Sequence, residues 1–359
     1  MTKPRVTQKD IAKAAGVTQT TVSYALHGGG KISDKTRDEI LTIAKQLGYH
    51  DDPMLRSLAV YRNKKQTEQN EAVFHGTIAW LIDVGQHKNW VKSDLYESYH
   101  SGAQKAAKRL GYTLEPLSLD DPNLSLKRAH QILNHRGIQG ALFAVPPDVD
   151  KLDQSQIYQI DWKDIPIVAL GSWPYDAKFH MVCSNQFDSL CLCIDQTISR
   201  GYKRIAFVIE ESVNQRVNGR FLGAYQTRKE ILNPKGVKIL DPLLVDWNTW
   251  EEQLKAWIIK NQPDVIIGLL FETGTRFKKV VGELKLKVPK DIAIVSMDAW
   301  REIEGCFAGV DENLESIGYQ SVRLLDSLIR HDERGAPEHP IRQMVQPSWL
   351  DGKSIKKRV

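Results

Sequence analysis

Four cysteines are spread through 359 residues, at Cys183, Cys191, Cys193 and Cys306. None forms a Cys-x-x-Cys pair, and no His/Cys spacing suits zinc. A disulfide scaffold and a zinc module are therefore excluded, and the thiols are expected as small buried residues. Long hydrophobic runs are missing too, since none approaches the roughly 20 residues of a membrane span. The opening "MTKPRVTQKD" lacks the apolar core of a secretion signal. The expected location is cytoplasmic, with no membrane partner. Catalytic signatures are equally scarce. There is no Gly-x-Ser-x-Gly elbow, no His-Glu-x-x-His and no dinucleotide loop. "HGGGKIS" (27–33) has the look of a phosphate loop but lacks the full spacing and follows a helix, so its glycines read as a helix stop. The expectation is a chain that is not an enzyme and needs no cofactor or metal.

What is present is the composition of a soluble globular protein, 42% hydrophobic and 26% charged, long enough for two or three domains. The net charge of +5 is unevenly distributed. Residues 1–65 hold 12 Lys/Arg against 6 Asp/Glu, and the rest of the chain is close to neutral. A small basic segment on a neutral body is the electrostatic footprint of nucleic-acid binding, although a solvated basic end would look the same.

The first 50 residues read as three short helices. Thr7 with Asp10 starts the first, Gly16 ends it, Thr18 caps the second and Ser33 the third. The apolar faces are Ile11, Ala12 and Ala15; Val22, Ala25 and Leu26; and Ile40, Ile43, Ala44 and Leu47. "DDPMLRSLAVY" (51–61) has a helix start at Asp52-Pro53 but only about two turns to follow, too few to stand alone. Residues 62–73 read as a polar linker. From residue 74 onwards, near-continuous apolar runs alternate with amphipathic segments. The runs are "TIAWLID", "GALFAVP", "PIVALG", "RIAFVIE", "DVIIGLL" and "IAIVSMD"; the helical segments fall near 95–110, 124–136, 186–200, 217–232, 250–261, 274–285 and 313–330. This texture predicts parallel sheets covered on both faces, in two lobes. Ligands bind such sheets beyond the carboxyl ends of their strands, which draws attention to Asp83, Trp173, Glu210 and Asp298.

The second helix, "GVTQTTVSYALHG" (16–28), carries four Thr/Ser residues and Tyr24 on very little apolar surface. Hydroxyls are indifferent in a helix because they compete for backbone hydrogen bonds. Gln19, Thr20, Ser23, Tyr24 and His27 form a polar stripe opposite Val22, Ala25 and Leu26. Such a stripe, on a helix that follows a capped helix and a glycine turn, suits the reading of base edges and phosphates by a helix-turn-helix.

The stretch "VTQKDIAKAAGVTQTTVSYALHGGGKISDKTRDEILTIAKQLGY" closely resembles the headpiece of the lactose-repressor (LacI/GalR) family of bacterial transcription regulators, above all in "TTVSYAL" and "ISDKTRDEI". The resemblance implies an N-terminal all-α helix-turn-helix headpiece (1–50) and a hinge helix (51–61). After the linker comes an α/β two-lobed core like that of periplasmic sugar-binding proteins (74–352). Its N-lobe would span about 74–174 and 309–334, and its C-lobe about 175–308 and 335–352. Gln19, Thr20 and Tyr24 fall on base-reading positions, and Thr18, Thr21, Ser23, Ser33 and Thr36 on phosphate-contacting positions. Gln pairs bidentately with adenine and Thr meets a thymine methyl. Leu58 falls where the family places a minor-groove wedge, with Leu55 beside it. Asp51 and Asp52 depart from the usual hinge.

In the core, the resemblance assigns effector contacts to Tyr96 of "SDLYESYHSGA", Arg220 of "RFLGAY", Trp247 of "VDWNTW" and Asp298 of "VSMDAW". Ser296 stands where the family usually has glycine. An Asp and an Arg fork hydroxyl or carboxylate groups, and aromatic faces cover rings. Trp90, Trp173 and Trp300 read as packing or rim residues. Where many members carry an Asn-Asp pair, this chain reads "GLLFETGT", with Phe271 and Glu272. The implied partners are double-stranded operator DNA, a small effector of carbohydrate type, and a second copy in a homodimer, because "DGKSIKKRV" is no leucine-heptad tail. The alternative is a solute-binding or enzymatic α/β domain fused to a DNA-binding headpiece.

Overall fold

The computed structural model describes residues 6–27, 32–49, 76–82, 94–118, 132–133, 136–144, 162–172, 178–246, 248–269, 273–299 and 306–358. The hinge and linker over 51–73, with Leu55 and Leu58, lie outside the described residues. So do Asp83, Trp90, the segment 124–131, Trp173, Trp247, Phe271, Glu272 and Trp300.

The headpiece packs α1 (Gln8–Ala15), α2 (Gln19–His27) and α3 (Asp34–Leu47) around Ile11, Val22 and Ile40, with Ala12, Ala25 and Ala44 between them. Alanines on all three helices keep the core small. Gly16 takes the left-handed conformation (φ 66) that ends α1, and its N–H bonds the Ala12 carbonyl. Thr7 donates its N–H to the Asp10 carboxylate at 2.8 Å, as the capping spacing requires. Leu47 does not join the core and is 40% exposed. It lies in the last turn before Gly48 (φ 72), where the chain reverses, and Tyr49 packs on the cluster in its place.

The core opens with β1 (Gly76–Ile82), α4 (Asp94–Leu110), β2 (Tyr112–Ser118), β3 (Ile138–Ala144), β4 (Ile167–Leu170) and β5 (His180–Ser184). It continues with α5 (Gln186–Ser199), β6 (Arg204–Glu210), α6 (Glu211–Arg216), α7 (Arg220–Leu232), β7 (Lys238–Ile239), β8 (Leu243–Val245), α8 (Trp250–Asn261), β9 (Val265–Leu269), α9 (Thr273–Glu283), β10 (Ala293–Ser296) and β11 (Ala308–Asp311). It closes with α10 (Leu314–His331), β12 (Arg342–Val345) and β13 (Ser348–Leu350). One sheet has the order β12-β5-β4-β3-β1-β2 and the other β13-β11-β10-β9-β6-β7, with β8 also paired to β6. Their pairings are parallel except for the edge strand β13, which runs antiparallel to β11.

All six apolar runs of the sequence are strands. The strands that sequence patterning overlooked, including β2, β5 and β11, are short or broken by polar residues and proline. Three short strands move the expected lobe crossings. β5 pairs with β4, so the chain stays in the first sheet past residue 174. β12 pairs with β5, so it returns to that sheet after α10 and leaves only before β13. β11 pairs with β10 in the second sheet, beyond the expected boundary at 308. The carboxyl-terminal strands are thus divided between the lobes, β12 to the first sheet and β13 to the second.

In the first lobe α4 and α10 pack backbone to backbone. A Cβ at Gly102 would fall 1.8 Å from the Glu315 carbonyl oxygen, and one at Gly318 would fall 2.0 Å from that of Tyr99. In the second lobe β6 sends its chain outwards to β7 and β8, whereas β9 leads the other way to β10. α7 packs with α5 on one face, and α8 and α9 pack on the other. The β6–β9 boundary is therefore a topological switch point, where open α/β sheets form a binding crevice.

Candidate functional site

On α2 the buried and exposed faces separate as the sequence implied. Val22 is fully buried and Ala25 nearly so, while Gln19, Thr20 and Tyr24 are exposed. Three of these side chains therefore project from a helix held on its other side by α1 and α3. Ser23 is half-buried, and the His27 side chain lies outside the described residues.

Thr18 and Thr21 are tied to the start of α2. The Thr21 N–H donates to Thr18 Oγ1 at 3.1 Å, and the two hydroxyls lie 2.8 Å apart. Ser33 and Thr36 repeat the pattern on α3. The Thr36 N–H donates to Ser33 Oγ at 3.2 Å, with the hydroxyls 2.7 Å apart. Each pair satisfies one orphan donor of a helix N-terminus. The structure thus gives these four residues a capping task at helix ends whose remaining N–H groups and dipole favour anions.

In the core, Arg220 opens α7 after a left-handed Gly219 (φ 70), at the carboxyl side of β6. Its Nη1 is buried and has no hydrogen-bond partner. Asp298 follows β10, and its N–H donates to the Ser296 hydroxyl at 3.1 Å, so the serine in place of glycine helps form the strand-end turn. Trp247 lies outside the described residues. Tyr96 packs into the core cluster of the first lobe. It is 7% exposed, packs edge-on to Trp80 with ring centroids 5.6 Å apart, and accepts the Trp80 indole N–H. Burial pushes its hydroxyl up to about 12. The helix period puts Tyr96 on the core face of α4.

Several crevice residues escaped sequence reading. Arg216, at the end of α6, is lowered by burial and held up by the charges of Tyr99, Glu312, Asp298 and Glu210, in that order. Asp298 is thus coupled to Arg216 across chain segments that sequence cannot juxtapose. Gln186 begins α5 and is 2% exposed. Its Nε2 donates to Ser172 and, at 3.1 Å, to Ser184, at the ends of β4 and β5, while its Oε1 is buried without a partner. Arg276, in the first turn of α9, stands over the Trp250 ring at 5.9 Å. Of these residues, Glu210 and Asp298 carried a sequence signal, at the ends of their strands. Among the described residues no His/Cys/Asp/Glu group could hold a metal, and no helix is long and apolar enough to cross a membrane.

Comparison with known proteins agrees with this two-part organisation. Residues 7–52 match the family described as bacterial regulatory proteins, lacI family, and residues 194–355 match the periplasmic binding protein-like domain. The HTH-type transcriptional repressor PurR of Histophilus somni (strain 2336) is 22% identical over 98% of this chain and 99% of its own length. The probable HTH-type transcriptional repressor ExuR of Bacillus subtilis (strain 168) is 26% identical over 82% of this chain and 81% of its own. Among solved structures, a complex of the transcriptional regulator CelR with cellobiose superposes with a TM-score of 0.57 at 18% identity, covering 98% of this chain and 100% of that one.

Proposed function

Because the chain belongs to the lacI family of bacterial regulatory proteins, we propose that it is a sequence-specific transcription regulator whose hold on operator DNA is set by a small molecule in its core. The observation that carries this reading is α2, a helix with Gln19, Thr20 and Tyr24 exposed and Val22 buried. Gln19, Thr20 and Tyr24 read base edges in the major groove. The capped starts of α2 and α3, at Thr18, Thr21, Ser33 and Thr36, seat on phosphates together with Ser23. These contacts place the headpiece, and the α2 stripe chooses the sequence.

The acting unit is a homodimer on a pseudo-palindrome, and residues 51–61 form a hinge helix that carries Leu55 and Leu58 to the minor groove. The cytoplasm is where such a protein meets DNA. In the core, Arg220, Asp298 and Trp247 contact an effector of carbohydrate type, as the cellobiose of the CelR complex suggests. Effector binding shifts one lobe against the other and alters the hinges, with a coupling of order 1–3 kcal/mol. The protein works by binding and release, with repression as its output.

The test is selection of duplexes from a random pool, followed by titration of the selected operator with cellobiose, ribose and sugar acids. Release by one compound, lost in Asp298→Ala while operator binding persists, supports the reading. An operator unmoved by every compound would leave a DNA-binding protein and refute effector control.

A further inference from the structure

Two buried polar atoms without partners lie at one end of the second lobe. α5 ends where β6 begins, and α7 begins beyond the end of β6, so both helices run antiparallel to β6 and parallel to each other. Arg228 of α7 donates to Asp195 of α5 at 2.7 Å, which fixes their relative level. Eight residues back along each helix lie Arg220 and Phe187, beside Gln186. The buried, unmatched Arg220 Nη1 and Gln186 Oε1 therefore belong to the same end of the helix pair. That end faces the β6–β9 switch point. Among the described residues these are a charged donor and a neutral acceptor, each cut off from water.

Leaving such groups unmatched is unfavourable, most of all for a guanidinium. The first turns of α7 and α9 contain no acidic residue, though each carries an arginine where the helix dipole favours an anion. Of the acids described around the crevice, Glu312, Asp298 and Glu210 bear on Arg216, and none hydrogen-bonds the Arg220 Nη1. A neutral sugar would leave the Arg220 guanidinium without a counter-charge among the described residues.

We propose that the effector carries an anionic group, a carboxylate or a phosphate on a polyhydroxy frame, seated on the Arg220 guanidinium at the β6–β9 switch point, with a neighbouring ligand hydroxyl donated to Gln186. This rests on the regulator reading above and narrows it to acidic sugars or sugar phosphates. Arg–carboxylate and Arg–phosphate pairs share the bidentate geometry, so the two sources are told apart by experiment.

The full-length protein is titrated calorimetrically with D-glucuronate, D-glucose 6-phosphate and D-glucose. One charged probe should bind at least 30-fold more tightly than D-glucose, and Arg220→Met should erase that preference. Gln186→Leu should weaken the charged probe about tenfold while keeping the preference. Folding is checked separately. Removal of a half-buried cation whose buried Nη1 is unmatched should leave the ligand-free unfolding temperature of Arg220→Met equal to or above that of the wild type. Equal or tighter binding of D-glucose, no binding of either charged probe, or a charge preference that survives Arg220→Met overturns the proposal. Operator release by cellobiose or ribose in that case keeps the regulator reading, whereas failure to select any operator strikes the reading itself.

Discussion

Replacing Gly318 with alanine changes one hydrogen for a methyl in the second turn of α10. By helix propensity alone the change is favourable by about 1 kcal/mol. The structure opposes it, because the new Cβ would stand 2.0 Å from the Tyr99 carbonyl oxygen and 3.0 Å from the Ala103 nitrogen. Both are backbone atoms and cannot rotate aside. α4 and α10 must separate by about 1 Å, and overpacking of this kind costs typically 1–3 kcal/mol, with exposure of the helix seam added. The net expectation is a loss of about 2 kcal/mol, which lowers the unfolding temperature by roughly 4–8 °C for a core of this size. Gly223 is the control. It is an exposed glycine in α7, and a Cβ added there would meet nothing within 4 Å, so Gly223→Ala should gain up to about 1 kcal/mol and a few degrees. Calorimetric scans of the two variants beside the wild type give the answer. A Gly318→Ala protein that unfolds at or above the wild-type temperature would refute the close helix pair on which the first lobe is built.

The other expectations concern the headpiece, the hinge and pH. Ser33→Ala should cost about 1 kcal/mol of headpiece stability through loss of its bond from the Thr36 N–H, read by amide exchange on α3; unchanged protection would remove the capping role. Leu58→Ala should lower operator affinity at least tenfold with the far-ultraviolet dichroism intact, and unchanged affinity would sink the wedge assignment. Burial holds His100 and His180 below their usual value, so both stay neutral in the fold. The unfolded chain then binds more protons as pH falls through about 6.5, and stability should drop from pH 7.5 to 5.5, less so in His180→Asn. Tyr96 behaves in the opposite sense. Its hydroxyl titrates near 12 rather than 10, so on the order of 2–3 kcal/mol should be lost as pH rises from 10 to 12, and Tyr96→Phe should remove that loss.

Local chemistry made the headpiece legible. Caps at Thr7, Thr18 and Ser33, the stop at Gly16 and the small faces around Val22 and Ile40 are all set within a few residues of each other. The six buried strands were legible for a similar reason, since continuous apolar runs have few alternatives. The strands that swap lobes were not, because β5 and β12 are short and owe their sheet to partners far along the chain. Among site residues, Arg220 was found through a motif resemblance, and the structure adds what no motif contains, a buried and unmatched Nη1. Tyr96 shows the converse. Its position was legible, but its side chain packs on Trp80, and the α4 tyrosine that bears on Arg216 is Tyr99. Gln186 carried no sequence signal, since its meaning depends on two serines at the ends of neighbouring strands.

The central claim is that α2 reads DNA sequence under control of the core. The most direct measurement is duplex selection from a random pool, run in parallel with the wild type and with a Gln19→Ala, Thr20→Ala, Tyr24→Ala triple variant. If α2 reads the sequence, the wild type enriches an inverted repeat, and the variant keeps salt-dependent binding but loses the enrichment at the half-site positions. Enrichment of the same repeat by both proteins would contradict it, because sequence would then be read by something other than α2.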